Sequence, residues 1–472
     1  MSERRSLFLL MAAGAALLGG AWWLSKMPAE LSPPERAGAA IPLMVGLLLM
    51  LGAVHLGATR VAESTAPGWR AWGIVIAVAI AARAMLLATT PILEIDLYRY
   101  LWDGECLRLG VNPFSWSPAE IRAELADPDP SAPAGLRRLG EHAARDLPAQ
   151  DILLRVHFAD VPTIYPPTAQ SVFAAVARWT AGAPRAEKVR AWKAFALAWE
   201  LAACIATALL LRAAGLNPLL AIVFLWSPLA LKEIANSGHL DSLAVALAAF
   251  AVLATPRRPA LAGLLLALAA GAKLYPVALL PLLILYPGEA ADRVRRRLIF
   301  AMAFAIASAA IWAPFLKTES GRTPFAGLGA FAKDWEMNGA IFSLVRGNLV
   351  PTEPGEKETW FTVMPEPARK TLAAKVDPER SARVVVGMAW VAIAGWAIVR
   401  MRRAPSAASL QHACFQTLVW LWLLAPTGNP WYLTWALPFL AGEPNRVWRW
   451  LPALAPLYYL RFWFEAQGPT PL

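Results

Sequence analysis

Cysteine is scarce in this chain, with three thiols, Cys106, Cys204 and Cys414, in 472 residues. Two of them lie inside apolar runs, and their spacing matches neither a disulfide framework nor a metal-binding cluster. Charge is thin as well: 16% of residues are charged and 58% hydrophobic, with a mean hydropathy of +0.46. That balance excludes an ordinary soluble enzyme. No internal repeat, heptad array or soluble domain is legible. What the chain has in quantity is tryptophan, 22 residues, and an excess of basic charge, net +11.

The basic residues are clustered, and the clusters could mark nucleic acid or topology. Arg4-Arg5, Arg257-Arg258, Arg293 with Arg295-Arg296-Arg297, and Arg400 with Arg402-Arg403 all flank apolar spans, as cytoplasmic loops do under the positive-inside rule. The charge therefore reports topology, and no nucleic-acid partner is expected. Apolar runs predict helices near 6–24, 39–58, 72–93, 192–211, 218–235, 240–254, 260–286, 298–316, 382–400, 411–426, 431–441 and 447–463. The first has the Arg-bearing start of a signal peptide, but so many spans follow that it reads as a retained helix. Lys273, Pro276 and Pro281 divide the 260–286 run near Lys273, which makes roughly thirteen crossings, or 11–13 allowing for miscounting. Several runs are short: fifteen helical residues cover only about 22 Å of a core of roughly 30 Å. Such pieces are tolerated where they line a cavity in the protein.

The whole chain, 1–472, thus reads as a single integral membrane domain, an all-α polytopic bundle. With Arg4-Arg5 inside and 169–180 lying on the interface, the spans alternate so that loops 94–168 and 317–381 fall on the outer face. The turns Asn236–Asp241, Lys273–Tyr275 and Thr427–Tyr432 fall there too, opposite the arginines. Gly and Pro from Pro351 to Pro367 predict irregular structure in the second loop.

The stretch EIDLYRYLWDGECLRLGVNPF, Glu94 to Phe114, follows the third apolar run, so its carboxylates are expected at the membrane surface. A helix from about Asp96 places Tyr98 and Trp102 on one face and Asp96, Tyr100 and Asp103 on a neighbouring one. That predicts an amphipathic interfacial helix with rings to lipid and acids to water; the plainer reading is that the acids merely end a span. Asp96 is the candidate general base, since a carboxylate at the aqueous rim can take a proton from an attacking hydroxyl. Glu94 is its alternate. Tyr98, Arg99 and Asp103 beside it are candidate substrate contacts, as are Tyr165, held before Pro166-Pro167, and Asn429 and Tyr432 in the last outer turn. Lys273 and His239 could bind a leaving phosphate, with Asp241 and Tyr275 adjoining. Lys273 could equally be a snorkelling helix-end lysine, and Asp241 a helix N-cap.

The blocks EIDLYRYLWDGECLRLGVNPF, TIYPPTAQSVF, LKEIANSGHLDSLAV, AGAKLYPVALLP and GNPWYLTWALPF, in that order from Glu94 to Phe439, resemble the bacterial polyprenyl-phosphate-sugar-dependent glycosyltransferases of the GT-C class, mannosyltransferase-like members in particular. The resemblance implies a multi-pass enzyme of the bacterial inner membrane with a large first periplasmic loop, 94–168, that carries interfacial helices, a second periplasmic loop, 317–381, and a periplasmic catalytic face. It implies a hexosyltransferase moving a sugar, mannose first among the expectations, with inversion, from a polyprenyl-phosphate donor to a glycan, glycolipid or protein acceptor. The acidic position falls on Asp96 or Glu94. Here the acids read Glu-Ile-Asp, where several relatives have an adjacent pair. Some relatives use a divalent metal and others none; Glu-Ile-Asp alone does not define a metal site. The other class of function compatible with broken helices and intramembrane charge is a transporter or flippase of lipid-linked saccharides. The asymmetry of the polar motifs speaks against it.

Overall fold

The structure is a computed structural model, which describes residues 2–28, 38–287, 293–350 and 365–467. Among these residues the secondary structure is helical, with no strand beyond isolated bridges from Met337 and Asn338 to Thr427. Six helices are long and apolar enough to cross a membrane: Glu3–Ser25, Ala40–Glu63, Trp69–Leu87, Arg185–Ala213, Arg293–Phe315 and Pro378–Arg403. The pair Pro218–Leu225 and Pro228–Asn236, bent by 45°, is long and apolar enough only when taken together. Asp241–Ala254, Pro259–Ala272 and Tyr275–Leu285 are apolar but shorter than a full span. The expected division near Lys273 is present: Lys273 follows the Pro259–Ala272 helix in extended conformation. After Ala407–Leu424, the apolar runs at 431–441 and 447–463 form short 3₁₀ and α turns instead of continuous helices, because Pro430, Pro438, Pro452 and Pro456 interrupt them.

Two expectations about the acidic stretch need correction. The third span stops at Leu87, not Leu93, where Thr89, Thr90 and Pro91 end the run, so an irregular connector separates it from the acids. The helix does start where expected, as Leu97–Arg108 with Asp96 at its N-terminus. It is not an amphipathic interfacial helix, however: every residue from Leu97 to Cys106 is buried in protein. Tyr100 stacks on Phe173, with ring centroids 5.1 Å apart, and packs against Tyr165 and Trp192. The helix is covered by Pro167–Trp179, Leu147–Leu154 and Arg185–Ala213.

That cover is built locally by ordinary helix signals. Ser117 and Glu120 form a capping box at the start of Pro118–Ala126, and Asp146 caps Leu147–Leu154. Pro167 opens the helix Pro167–Trp179, since a proline is tolerated in the first turn and rejects helix before it. This helix is too short to cross a membrane and packs on both Leu97–Arg108 and Pro259–Ala272. In the 317–381 loop, residues 351–364 lie outside the described residues; a helix runs from Glu366 to Ala373 where the Pro351–Pro367 punctuation predicts irregular chain at its end.

Candidate functional site

The site begins with the connector. Asn236 accepts a hydrogen bond from the Ile92 amide (3.1 Å) and donates to Thr89 Oγ1 (3.0 Å) and the Thr90 carbonyl (3.3 Å). Buried Lys193 donates to the carbonyls of Leu86 (2.6 Å) and Thr89 (2.7 Å), and Trp192 Nε1 donates to the Gly238 carbonyl (2.6 Å). These bonds tie the Thr89–Asp96 segment to the Asn236–His239 turn. Gly238, at φ +72°, supplies the left-handed residue the turn requires. Leu93 sits at φ +62°, where a branched residue is strained, one position before Glu94.

Around this junction the carboxylates and His239 form a chain. Asp96 Oδ2 lies 3.9 Å from His239 Nδ1, and His239 Nε2 lies 3.4 Å from Glu233 Oε2. The imidazole is fully buried and stacks on Trp431, centroids 4.3 Å apart. Neither ring nitrogen makes a hydrogen bond of good geometry. Tyr459 donates to Glu233 Oε1 (2.6 Å), and Lys232 Nζ donates to Tyr459 (3.1 Å) and to Ser237 (2.7 Å). Lys232 and Glu233 sit on a π-helical turn, Leu231–Asn236, a local widening that often accompanies functional sites. Glu94 is buried beside Lys232 and Glu233; burial pushes its pKa well up, with Glu233 and Asp96 adding to the rise. Asp96 alone of these acids is open, its side chain 32% exposed. It borders a cavity of about 40 Å³ shared with Arg99, His157, Tyr165 and Trp335. Burial lowers the pKa of His157, against the pull of Asp96.

A second cluster adjoins. Lys273 Nζ contacts both Asp241 oxygens, at 2.7 and 2.8 Å. It lies over the rings of Tyr432 (4.5 Å) and Trp435 (5.7 Å). Trp435 also donates to Asp241 and stacks on Tyr275 and Tyr432. Asp241 makes no capping bond at the helix it starts; its carboxylate is spent on Lys273 and Trp435. Lys273 is therefore no free snorkelling lysine, and any anion it meets must share it with Asp241.

Segments 94–168 and 315–350 meet over this face. Gly428 donates to the Met337 carbonyl (2.8 Å) and Met337 to that of Pro426 (3.0 Å). Asn338 Nδ2 reaches Asn429 Oδ1 at 3.4 Å, and Phe158 packs on Trp335, centroids 4.7 Å apart. Asn112 donates to the carbonyls of Phe315 and Lys317.

The expected residues thus meet at one end of the bundle, with three qualifications. Arg99 spends its guanidinium on the carbonyls of His157, Phe158 and Val161, which makes it the strut of the cavity wall. Tyr98 is buried, with Arg155 over its ring at 5.7 Å. Asp103 is buried and accepts from Gln170 Nε2 at 3.2 Å, one layer behind the cavity. Sequence reasoning passed over Glu233, Lys232, Tyr459 and Trp431. The Lys-Glu pair inside an apolar run was the available signal, because charge at membrane depth is costly and rarely idle. Among the described residues, no group of three or more His, Cys, Asp or Glu side chains is arranged to hold a metal.

Fold and site together define a multi-pass helical membrane protein with a buried, titratable site at one end. Comparison with protein-family models, curated proteins and solved structures finds no match.

Proposed function

We propose that the protein is an integral membrane glycosyltransferase of GT-C type that moves a hexose, with mannose the first to test, from a polyprenyl-phosphate carrier to an acceptor hydroxyl. The observation that carries this reading is the position of Asp96: a partly open carboxylate, backed by His239, on a cavity it shares with Tyr165 and Trp335. In the reaction, Asp96 takes the acceptor hydroxyl proton as that oxygen bonds to the anomeric carbon. The bond from that carbon to the phosphate oxygen breaks on the opposite face, and the polyprenyl phosphate leaves with the electron pair and no added proton. Lys273, held by Asp241 over the Tyr432 and Trp435 rings, is the cation that meets the departing phosphate. Glu94, buried beside Lys232 and Glu233, is the alternate base.

The test uses purified protein, radiolabelled polyprenyl-phosphate mannose and a membrane extract as acceptor. Wild type should transfer label, and Asp96→Asn should lose about two to four orders of magnitude in rate while still binding donor. Equal rates for both would remove Asp96 from the chemistry. No transfer from any polyprenyl-phosphate hexose would sink the enzyme reading. The buried Lys232–Tyr459–Glu233–His239 chain favours one second reading, a proton-linked transporter of lipid-linked saccharide. Flux of a labelled lipid-linked sugar across proteoliposomes without bond cleavage would select it.

A further inference from the structure

A cavity of about 1170 Å³ opens beside the Pro378–Arg403 and Ala407–Leu424 helices, and none of its lining residues belongs to the site around Asp96. Its lining includes Trp396, Arg400 and Arg403 on the Pro378–Arg403 helix, Ser409 and His412 at the start of Ala407–Leu424, and Glu443. Glu443 is the one acid in the lining. It is buried, and it is occupied by His412 Nδ1 at 2.8 Å and the Asn445 amide at 3.4 Å. Arg403 is exposed, and Arg400 lies over the Trp396 ring, 4.9 Å from its centroid. The first turn of Ala407–Leu424, whose Ser409 borders the cavity, adds the positive end of an 18-residue helix. Along the helices away from the arginines the walls turn apolar, through Trp396 and Ile393 on one side and Trp420 on the other.

We propose that this cavity is a site for one anionic phospholipid. Arg400 and Arg403 meet the lipid phosphate, and the acyl chains lie along the apolar wall of the Pro378–Arg403 helix. Three features select this occupant. The charge facing the cavity is net positive once Glu443 is paired. The cavity grades from arginine to tryptophan to aliphatic surface along a membrane-crossing helix, as a headgroup, interface and acyl chain do. That helix has only 22% of its apolar window buried in protein, so lipid must complete its packing. Basic pockets between membrane helices on the arginine-rich side are suited to anionic headgroups. This assignment stands independently of the glycosyltransferase reading.

The test is native mass spectrometry of the detergent-solubilised full-length protein, titrated with phosphatidylglycerol or phosphatidylcholine of matched chains. Wild type should retain phosphatidylglycerol preferentially. At about fivefold per arginine, the Arg400→Gln/Arg403→Gln double variant should lose on the order of 25-fold of that preference, and Arg403→Gln alone about fivefold. Arg402→Gln, on the same helix but outside the lining, should keep it. Gel filtration of each variant confirms that the fold survives. Equal retention of the two lipids by wild type, or an equal loss in Arg402→Gln, would overturn the site. Full displacement of the lipid by sn-glycerol 3-phosphate would also overturn the lipid assignment, reassigning the cavity to a free phosphate ester. No displacement by that headgroup fragment is expected.

Discussion

Asp103 is a carboxyl kept inside protein, behind the cavity that Asp96 borders. Burial raises its pKa from 3.8 to about 6, against the lowering effects of Arg99, Thr163 and Gln170. A carboxyl with a raised folded-state pKa binds its proton more tightly when folded. Its contribution to stability is therefore full below about pH 4 and is lost as pH rises through 6. Asp103→Asn removes the charge and keeps an acceptor for Gln170. It should stabilise the protein at pH 7.5 by on the order of 2 kcal/mol and change little at pH 4. Thermal melts of the two proteins in one detergent at both pH values read this directly, and a lower midpoint for Asp103→Asn at pH 7.5 would contradict it. The residues legible in sequence, Asp96, His239, Asp241, Lys273 and Tyr432, were so because each is polar chemistry set at the edge of an apolar run. Arg99 looked the same in sequence but serves the backbone, since its role depends on where the loop at His157–Val161 returns. Glu233 and Lys232 were hidden for the reverse reason: they lie inside an apolar run, and only the bend at 227 and the π-helical turn bring them to Asp96.

Among elements, the contact that sets the site is the packing of Leu97–Arg108 against Pro167–Trp179. Gly104 makes it possible: a Cβ there would lie 2.4 Å from the Phe173 carbonyl oxygen and 2.7 Å from its carbon. Both are backbone atoms that have no rotamer to give. Gly104→Ala should push the two helices apart, at a cost of roughly 1–3 kcal/mol, and shift the Asp96 end of the shorter helix. Gly19→Ala, in a membrane helix with open space around it, should melt at or above wild type. If Gly104→Ala melted as well as Gly19→Ala, that close contact would be disproved. Hydrophobic runs located the long helices but not their ends, as at 192 against Arg185 and at 93 against Leu87, because burial in lipid or protein demands the same continuous apolar surface. They could not show that Leu97–Arg108 would be covered. An amphipathic pattern of aromatics and acids fits a membrane surface or a protein interior lined by Gln170, Tyr165 and Phe173 equally well, and only the tertiary partners decide.

At the scale of the whole molecule, two sets of long-range contacts define two ends. At one, Asn217 donates to the carbonyls of Ala62 and Thr65, Glu63 pairs with Arg446 and Arg449, Gln411 donates to Leu210, and Arg296 donates to Thr255 and Pro256. At the other are Asp96, His239, Asp241, Lys273 and Asn429. Residues near 64, 216, 256, 296 and 411 thus share one end, which carries the arginine clusters. From the positive-inside rule we propose that this end is cytoplasmic and the Asp96 end periplasmic. Single cysteines test it in a background lacking Cys106, Cys204 and Cys414. Ser131 is exposed on the 94–168 loop, and Pro405 is exposed between the Pro378–Arg403 and Ala407–Leu424 helices. Pro405 is preferred to Ser406, whose hydroxyl caps the following helix. In intact spheroplasts an impermeant maleimide should label Ser131→Cys and spare Pro405→Cys until the membrane is permeabilised. Labelling of Pro405→Cys alone would invert the molecule and carry Asp96 to the cytoplasm. Labelling of both in sealed cells would break the alternation itself, and with it the placement of the short apolar helices between 241 and 285 as crossings.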